Sequence, residues 1–333
     1  MRRTIASASL FGLVALILGA GTVSASEDSN QGQIDKFSHV FVIMMENTGY
    51  GSLIGNPNAP WINEAATKYG LATNYFGISH PSQPNYIAAT SGGTNGVLND
   101  NDITINVSNI VDQLASHHKS WTAYMQSLSL CVTKLDHACG NQLYERKHDP
   151  FVSYADVQSS PSRMANIVDL SRLDADLASG HVANYVWISP DQCNDMHGRG
   201  GGGAADPCDF SHVQGLISTG DTFLKNEVSK IMSSKAWTGN STIFVTWDES
   251  DFTNSGPFGF GDTSGCCDAN PGGGHVVTLV INRHQDDPRT SDTAYNHYSM
   301  LRTIESSWHL GCLGATCDKA NVPTMRALVG SDD

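Results

Sequence analysis

Four short stretches, residues 39–45, 185–189, 241–247 and 275–282, are apolar or β-branched along almost their whole length, not at every second position. A strand solvated on one face alternates, whereas a strand covered on both faces has no polar side and reads as a continuous run. Between these runs lie segments with helical spacing. Residues 107–116 put Val107, Ile110, Val111 and Leu114 on one face; residues 222–232 do so with Phe223, Leu224, Val228, Ile231 and Met232; residues 298–308 do so with Met300, Leu301 and Ile304. Doubly covered strands alternating with amphipathic helices predict an α/β fold, a three-layer α/β/α sandwich with a mostly parallel central sheet. No repeat, heptad or long linker interrupts the pattern, and the Gly-rich stretches 198–205 and 258–274 read as surface loops.

The first 25 residues differ in character. Arg2 and Arg3 precede an apolar run from Leu10 to Ala20 and then the small residues Val23, Ser24 and Ala25. That layout predicts a secretory signal over 1–25, cleaved after Ala25, with 26–333 as a single domain outside the cytoplasm. The apolar run is short of the roughly 20 residues a membrane span requires, and no later segment supplies one, so stable membrane insertion is not expected. The chain carries a net charge of −14, and loss of the two leader arginines takes it to −16. Such an acidic surface repels the phosphate backbone, which argues against a nucleic-acid partner. Eight cysteines in an exported chain imply disulfides. Cys131 with Cys139, Cys193 with Cys208 and Cys312 with Cys317 are close enough in sequence to pair easily. Cys266 and Cys267 either bridge each other or pair elsewhere. No pair of Cys-x-x-Cys knuckles supports a zinc site.

The residues just beyond each strand carry the chemistry. Glu46 and Asn47 come after the first run, Asp248 and Glu249 after the third, and Ser189 leads into Asp195 and His197. In open parallel sheets ligands bind beyond the carboxyl ends of the strands, so these groups share one edge. Glu46, Asn47, Asp248 and Glu249 offer oxygen atoms only, a set that suits a hard divalent cation such as Mg²⁺, Ca²⁺ or Mn²⁺. An isolated carboxylate in such a place is ordinarily a helix cap or a surface group. Ser82, in His80-Pro81-Ser82-Gln83-Pro84-Asn85-Tyr86, stands just before an expected helix start and reads equally as an N-cap or as a nucleophile. As a nucleophile it would have the helix amides and dipole aimed at the phosphate it attacks, and a metal on its oxygen to lower its pKa.

These segments carry a resemblance. Val42-Ile43-Met44-Met45-Glu46-Asn47, His80 to Tyr86, Ile188-Ser189-Pro190 with Asn194-Asp195-Met196-His197, Thr246-Trp247-Asp248-Glu249 and His297 to Glu305 are similar, in order, to motifs of the phosphoesterase family. That family holds bacterial phospholipases C and bacterial and fungal acid phosphatases within the alkaline phosphatase-like superfamily. The resemblance implies an alkaline phosphatase-like fold, metal ligation by Glu46, Asn47, Ser82, Asp248 and Glu249, and Ser82 as nucleophile. It also implies that His148 and His197 line the phosphoryl pocket, where each could donate to a phosphoryl oxygen or protonate the leaving group. Two positions depart from the family's pattern: some members have Asp where Glu249 stands, and many have Asn where Asp149 stands. His275 and His297 lie near site motifs but read equally as capping or structural residues.

The expected activity is hydrolysis of a phosphomonoester through a phosphoseryl intermediate, on a small phosphate ester or a phospholipid headgroup. A phospholipase C or other phosphodiesterase could use the same core, although the chain ends soon after Cys317, where such enzymes often carry further modules. A serine esterase lacks its Gly-x-Ser-x-Gly elbow, and a secreted, cation-stabilised binding module would leave Ser82 without a task.

Overall fold

The computed structural model describes Met1, residues 34–251 and residues 261–329. Residues 2–25 of the expected leader lie outside the described residues. β1 (Val40–Met45), a run of apolar side chains that are all buried, occupies an inner position of a nine-stranded sheet. Its two neighbours, β7 (Tyr185–Ser189) and β8 (Thr242–Trp247), run parallel to it. Beyond β7 lie β3 (Trp121–Met125) and β6 (Ile167–Asp169), also parallel. Beyond β8 lie β9 (His275–Asn282) and β2 (Gly70–Phe76), with β10 (Arg289–Ser291) and β11 (Tyr295–Asn296) both pairing in parallel with β2. β4 (Ala138–Cys139) and β5 (Tyr144–Glu145) form a separate hairpin.

The sheet is therefore α/β and mostly parallel, with one strand reversed: β9 is antiparallel to both β8 and β2. Its apolar run reveals burial on both faces and nothing about direction. The reversal places His275 opposite Phe76, at the edge where β2 ends. β2 and β3 escape a reading by apolar run because β2 carries Thr73 and Asn74 with a register shift between Ala72 and Tyr75, and β3 carries Thr122.

Helices fill the outer layers. Ile110–Ser116 begins later than the 107 expected, since Asn109 caps it by accepting from the Val111 amide. Val213–Ser233 extends well before the expected 222, and His297–Trp308 is capped by Asn296. Pro60–Lys68 packs against Val213–Ser233, whose Asp221 accepts from the free amides of Trp61 and Ile62 at 3.1 and 2.8 Å. Ser82–Ser91 packs against His297–Trp308 and ends at Gly92 in the left-handed conformation, φ 73°. The four disulfides are Cys131–Cys139, Cys193–Cys208, Cys312–Cys317 and the adjacent pair Cys266–Cys267. Such a set suits an oxidising compartment.

Gly92 meets two demands at once, a positive φ and a carbonyl that would stand 2.0 Å from any Cβ, that of Leu313. Gly92→Ala should therefore lower the free energy of unfolding by about 2–4 kcal/mol in urea titrations. A loss below about 0.5 kcal/mol would mean that this turn relaxes freely.

Candidate active site

The parallel register of β1 and β8 pairs Met45 with Trp247, so the next residues along each strand, Glu46 and Asp248, emerge side by side. Two backbone bonds fix them there: the Asp248 amide donates to Met45 O at 3.0 Å, and the Glu46 amide to Asp195 O at 2.9 Å. The second bond draws the segment after β7 to the same point. Glu46, Asp195, Asp248 and Glu249 are all fully buried. Asn47 sits in the left-handed region, φ 42°, which asparagine tolerates better than most side chains.

Ser82 arrives from β2. Gly77 allows that connection to pass close under the site, because a Cβ there would lie 2.6 Å from Asp248 O. Asn85 then clamps the turn, accepting from the Ile78 and Ser79 amides and donating to the carbonyls of Ser79 and Pro81. Ser82 is the first residue of its helix, and Pro81 occupies the cap position, so the serine is not an N-cap. Its Oγ lies 3.0 Å from Glu46 Oε2 and 3.1 Å from Glu249 Oε1. The expected row of helix amides facing a phosphate is reduced, since the Gln83 amide is taken by Asp100 Oδ1 at 3.0 Å and Pro84 has none.

The electrostatics are those of an unbalanced acidic pocket. Burial disfavours the Glu46 carboxylate, yet the facing His148, with Lys147 and His197, brings it down to about 2. Burial and the Glu46 charge push Asp248 and Asp195 well above the usual carboxylate range. Burial also raises Glu249 to about 7, against the opposing effect of His80. Asn47 Oδ1 and Asp248 Oδ2 are buried without a hydrogen-bond partner among the described residues, while Asp248 Oδ1 accepts from the Asn47 amide at 3.1 Å. Orphaned oxygens beside two further carboxylates and a hydroxyl fit a hard divalent cation, which would satisfy the lone pairs and restore ionisation. A grouping of Cys131, Asp136 and Cys139 is no rival site, because its sulfurs form a disulfide.

Histidines close the other side. His148 Nε2 is 3.2 Å from Glu46 Oε1, and its Nδ1 is 3.6 Å from Asp195 Oδ2. The His197 amide donates to Asp195 Oδ1 at 2.8 Å, and its ring stands 6.3 Å from that of His148. Burial and the charge of Lys147 hold His197 down at about 4. Its Nδ1 lies 2.6 Å from Gly198 O, so the neutral ring donates there and presents Nε2 as an acceptor. The Cys193–Cys208 bridge staples the loop that carries it. All seven residues expected at the site are thus brought to one crevice.

Other residues belong to this network that sequence reasoning left without a role. Tyr86 donates to Glu46 Oε1 at 2.5 Å and stacks on His148, with centroids 5.4 Å apart. The four-residue spacing from Ser82 on one helix was the available signal. His80 bonds Glu249 through Nδ1 and Asp262 O through Nε2. His297 supports the Asp248 backbone carbonyl at 2.7 Å, whereas His275 stacks on Tyr50 and bonds Thr73 O.

The model of the Phosphoesterase family matches residues 56–311, a span that begins after Glu46 and Asn47. The phosphate-repressible acid phosphatase of Penicillium chrysogenum is 28% identical over 338 residues, covering 94% of this chain and 73% of that protein. The acid phosphatase of Aspergillus fumigatus is 26% identical over 86% of this chain, which spans only 58% of that relative's length. The phosphatidylinositol-3-phosphatase of Mycobacterium tuberculosis is 26% identical, covering 82% of this chain and 78% of that protein. Among solved structures, the phosphonate monoester hydrolase of Silicibacter pomeroyi superposes with a TM-score of 0.57 at 10% identity, over 89% of this chain and 77% of that one. A protein in the alkaline phosphatase superfamily from Vibrio parahaemolyticus gives 0.54 at 15% identity, over 84% and 67%. At such identities the structures bear on the fold alone.

Asp149 is fully buried beside His148; its Oδ1 accepts from the Phe151 and Val152 amides, and Oδ2 has no partner among the described residues. Burial pushes its carboxyl from 3.8 up to about 7. Between those values the unfolded state binds fewer protons than the folded one, so stability falls as the pH rises through that window. Asp149→Asn keeps the acceptor and has no charge to bury. The variant should exceed the native protein by about 4 kcal/mol at pH 8, with the gap closing below about pH 4 in urea titrations. A gap independent of pH would contradict the raised value.

Proposed function

The chain belongs to the phosphoesterase family and is a phosphoric ester hydrolase; on that premise we propose that it is a secreted acid phosphatase that hydrolyses phosphomonoesters through a phosphoseryl intermediate on Ser82. One observation carries the reading: a serine hydroxyl at a helix start, held within 3.1 Å of two buried carboxylates, beside orphaned oxygens of Asn47 and Asp248. A divalent cation held by Glu46, Asn47, Ser82, Asp248 and Glu249 would acidify the hydroxyl and draw charge from the phosphoryl oxygens. Ser82 attacks phosphorus, and its proton has two carboxylate acceptors in reach, Glu46 Oε2 at 3.0 Å and Glu249 Oε1 at 3.1 Å. The bond to the leaving oxygen breaks, and His148 in its protonated form gives that oxygen a proton. His197 Nε2, an acceptor in the neutral ring, then takes a proton from the water that attacks the phosphoserine, the bond from phosphorus to Ser82 Oγ breaks, and the carboxylate that took the serine proton returns it.

The relatives named acid phosphatases support a monoester substrate, and the relative named phosphatidylinositol-3-phosphatase extends that class to a phosphorylated lipid headgroup. Ser82→Ala should lower kcat on p-nitrophenyl phosphate by about 10⁴-fold or more with an unchanged melting temperature. Undiminished turnover by that folded variant would remove the mechanism. Bis-p-nitrophenyl phosphate and p-nitrophenylphosphorylcholine, assayed beside the monoester, should be turned over more slowly; faster turnover of either would make the protein a diesterase. Chelation should lower the melting temperature, and Mg²⁺, Ca²⁺ or Mn²⁺ should restore it, because a ligand bound only by the folded state stabilises that state. A melting temperature indifferent to both chelator and cation would count against the metal.

A further inference from the structure

The side chain of Lys147 has no part in the phosphoseryl mechanism, yet its surroundings give it one. It lies in the turn Arg146–His148 that packs on the Ser82–Ser91 helix, and it immediately precedes His148. Its Nζ donates to Asp100 Oδ2 at 3.0 Å, while Asp100 Oδ1 accepts the Gln83 amide, also at 3.0 Å. A single carboxylate therefore separates the ammonium from the peptide bond on the C-terminal side of the nucleophile. The loop bearing Asp100 is clamped from both sides as well, since in its better amide orientation Gln83 donates to Asn99 O and Asn101 O.

Four considerations assign this cation a task. An ammonium has three donors, and Asp100 is its one acceptor among the described residues, which leaves donor capacity for a ligand. Its side chain is 14% exposed and that of Asp100 29%, so the pair beside the Gln83 amide is partly desolvated but reachable. Its charge acts on Glu46, Asp195 and His197, the groups that surround the reacting centre. The donors expected from the helix start are also short there, with the Gln83 amide committed and Pro84 without one.

We propose that Lys147 binds the dianionic end of a phosphomonoester and sets the preference for monoesters over diesters, with Asp100 as the residue that positions it. The proposal rests on the phosphomonoesterase reading of the site. A monoester carries about −1.5 to −2 charges at pH 7, whereas a diester has one ionised oxygen and a second ester group where the other would be. A fixed ammonium at that oxygen discriminates by charge. Asp100 holds the long side chain in one orientation, which lowers the entropy cost of binding.

The test measures kcat/KM for p-nitrophenyl phosphate and bis-p-nitrophenyl phosphate at pH 7, with inorganic phosphate as a competitive inhibitor. Lys147→Met should lose about 100-fold on the monoester and about five-fold or less on the diester, and the phosphate inhibition constant should rise about 100-fold. Lys147→Arg should recover part of each loss. Asp100→Asn should raise KM for the monoester more than it lowers kcat. A merely structural lysine predicts equal losses on both substrates with phosphate inhibition unchanged, and that result overturns the proposal, as does full monoester activity in Lys147→Met. Should Lys147→Met fail to fold, Lys147→Gln carries the same test. Calorimetric binding of inorganic phosphate to Ser82→Ala, with and without Lys147→Met, reads the lysine independently of turnover. Weaker binding in the double variant sustains the proposal even if the phosphoseryl reading fails, and equal binding refutes it even if that reading stands.

Discussion

Four carboxyl groups, those of Glu46, Asp195, Asp248 and Glu249, are removed from water within one crevice. Like charges at such range in a low dielectric cannot all ionise, and only compensating groups make the arrangement tolerable. Much of the surrounding structure serves that compensation. Tyr86 and His148 face Glu46, His80 faces Glu249, the Asn47 amide faces one oxygen of Asp248, and the His197 amide faces one of Asp195. The compensation is incomplete: among the described residues Asn47 Oδ1, Asp248 Oδ2 and Asp195 Oδ2 stay without a hydrogen-bond partner, and a cation beside Asn47 and Asp248 would satisfy the first two.

How much of this was legible depends on the physics of each element. β1 and β8 are visible because both faces are covered, and their parallel register makes Glu46 and Asp248 neighbours as soon as the sheet is drawn. The direction of β9 was not legible, since an apolar run is the same read either way. The first turn of the Ser82–Ser91 helix was ambiguous locally: Ser82 has the composition of a cap, and only the fold shows that its hydroxyl faces carboxylates instead of an amide. His80 and Glu249 lie 169 residues apart, and Lys147 and Asp100 lie 47 apart, so no spacing rule could join them. Only the close packing of the segments after β2, β5 and β8 does so.

The departure at position 249 acquires a meaning in this geometry. One oxygen of Glu249 reaches Ser82 and the other reaches His80, whose far nitrogen is anchored on the Asp262 carbonyl. A carboxylate one methylene shorter could not keep both contacts without moving the backbone, so the longer side chain and His80 belong to a single arrangement. The Asp262 segment is in turn held by backbone bonds from the Gly272 amide to Thr263 O and from the Gly274 amide to Ser264 O, and Asp262 Oδ2 accepts the His275 amide. Reversal of β9 is what returns the chain to this edge in time to provide that support.

The acids also account for where the positive groups lie. A pocket that must accept a phosphate anion while holding four carboxyls needs cations close enough to act, yet not so close that they merely pair with the acids and cancel. His148 pairs with Glu46 and partly meets that fate. Lys147 avoids it because Asp100, outside the cluster, takes the ammonium instead and fixes it against the start of the Ser82–Ser91 helix. An acid added at the rim thus keeps a base from collapsing onto the acids at the centre. In a chain this acidic, attraction for a phosphate ester has to arise locally, from a few cations held apart from the carboxylates, since the long-range field opposes it.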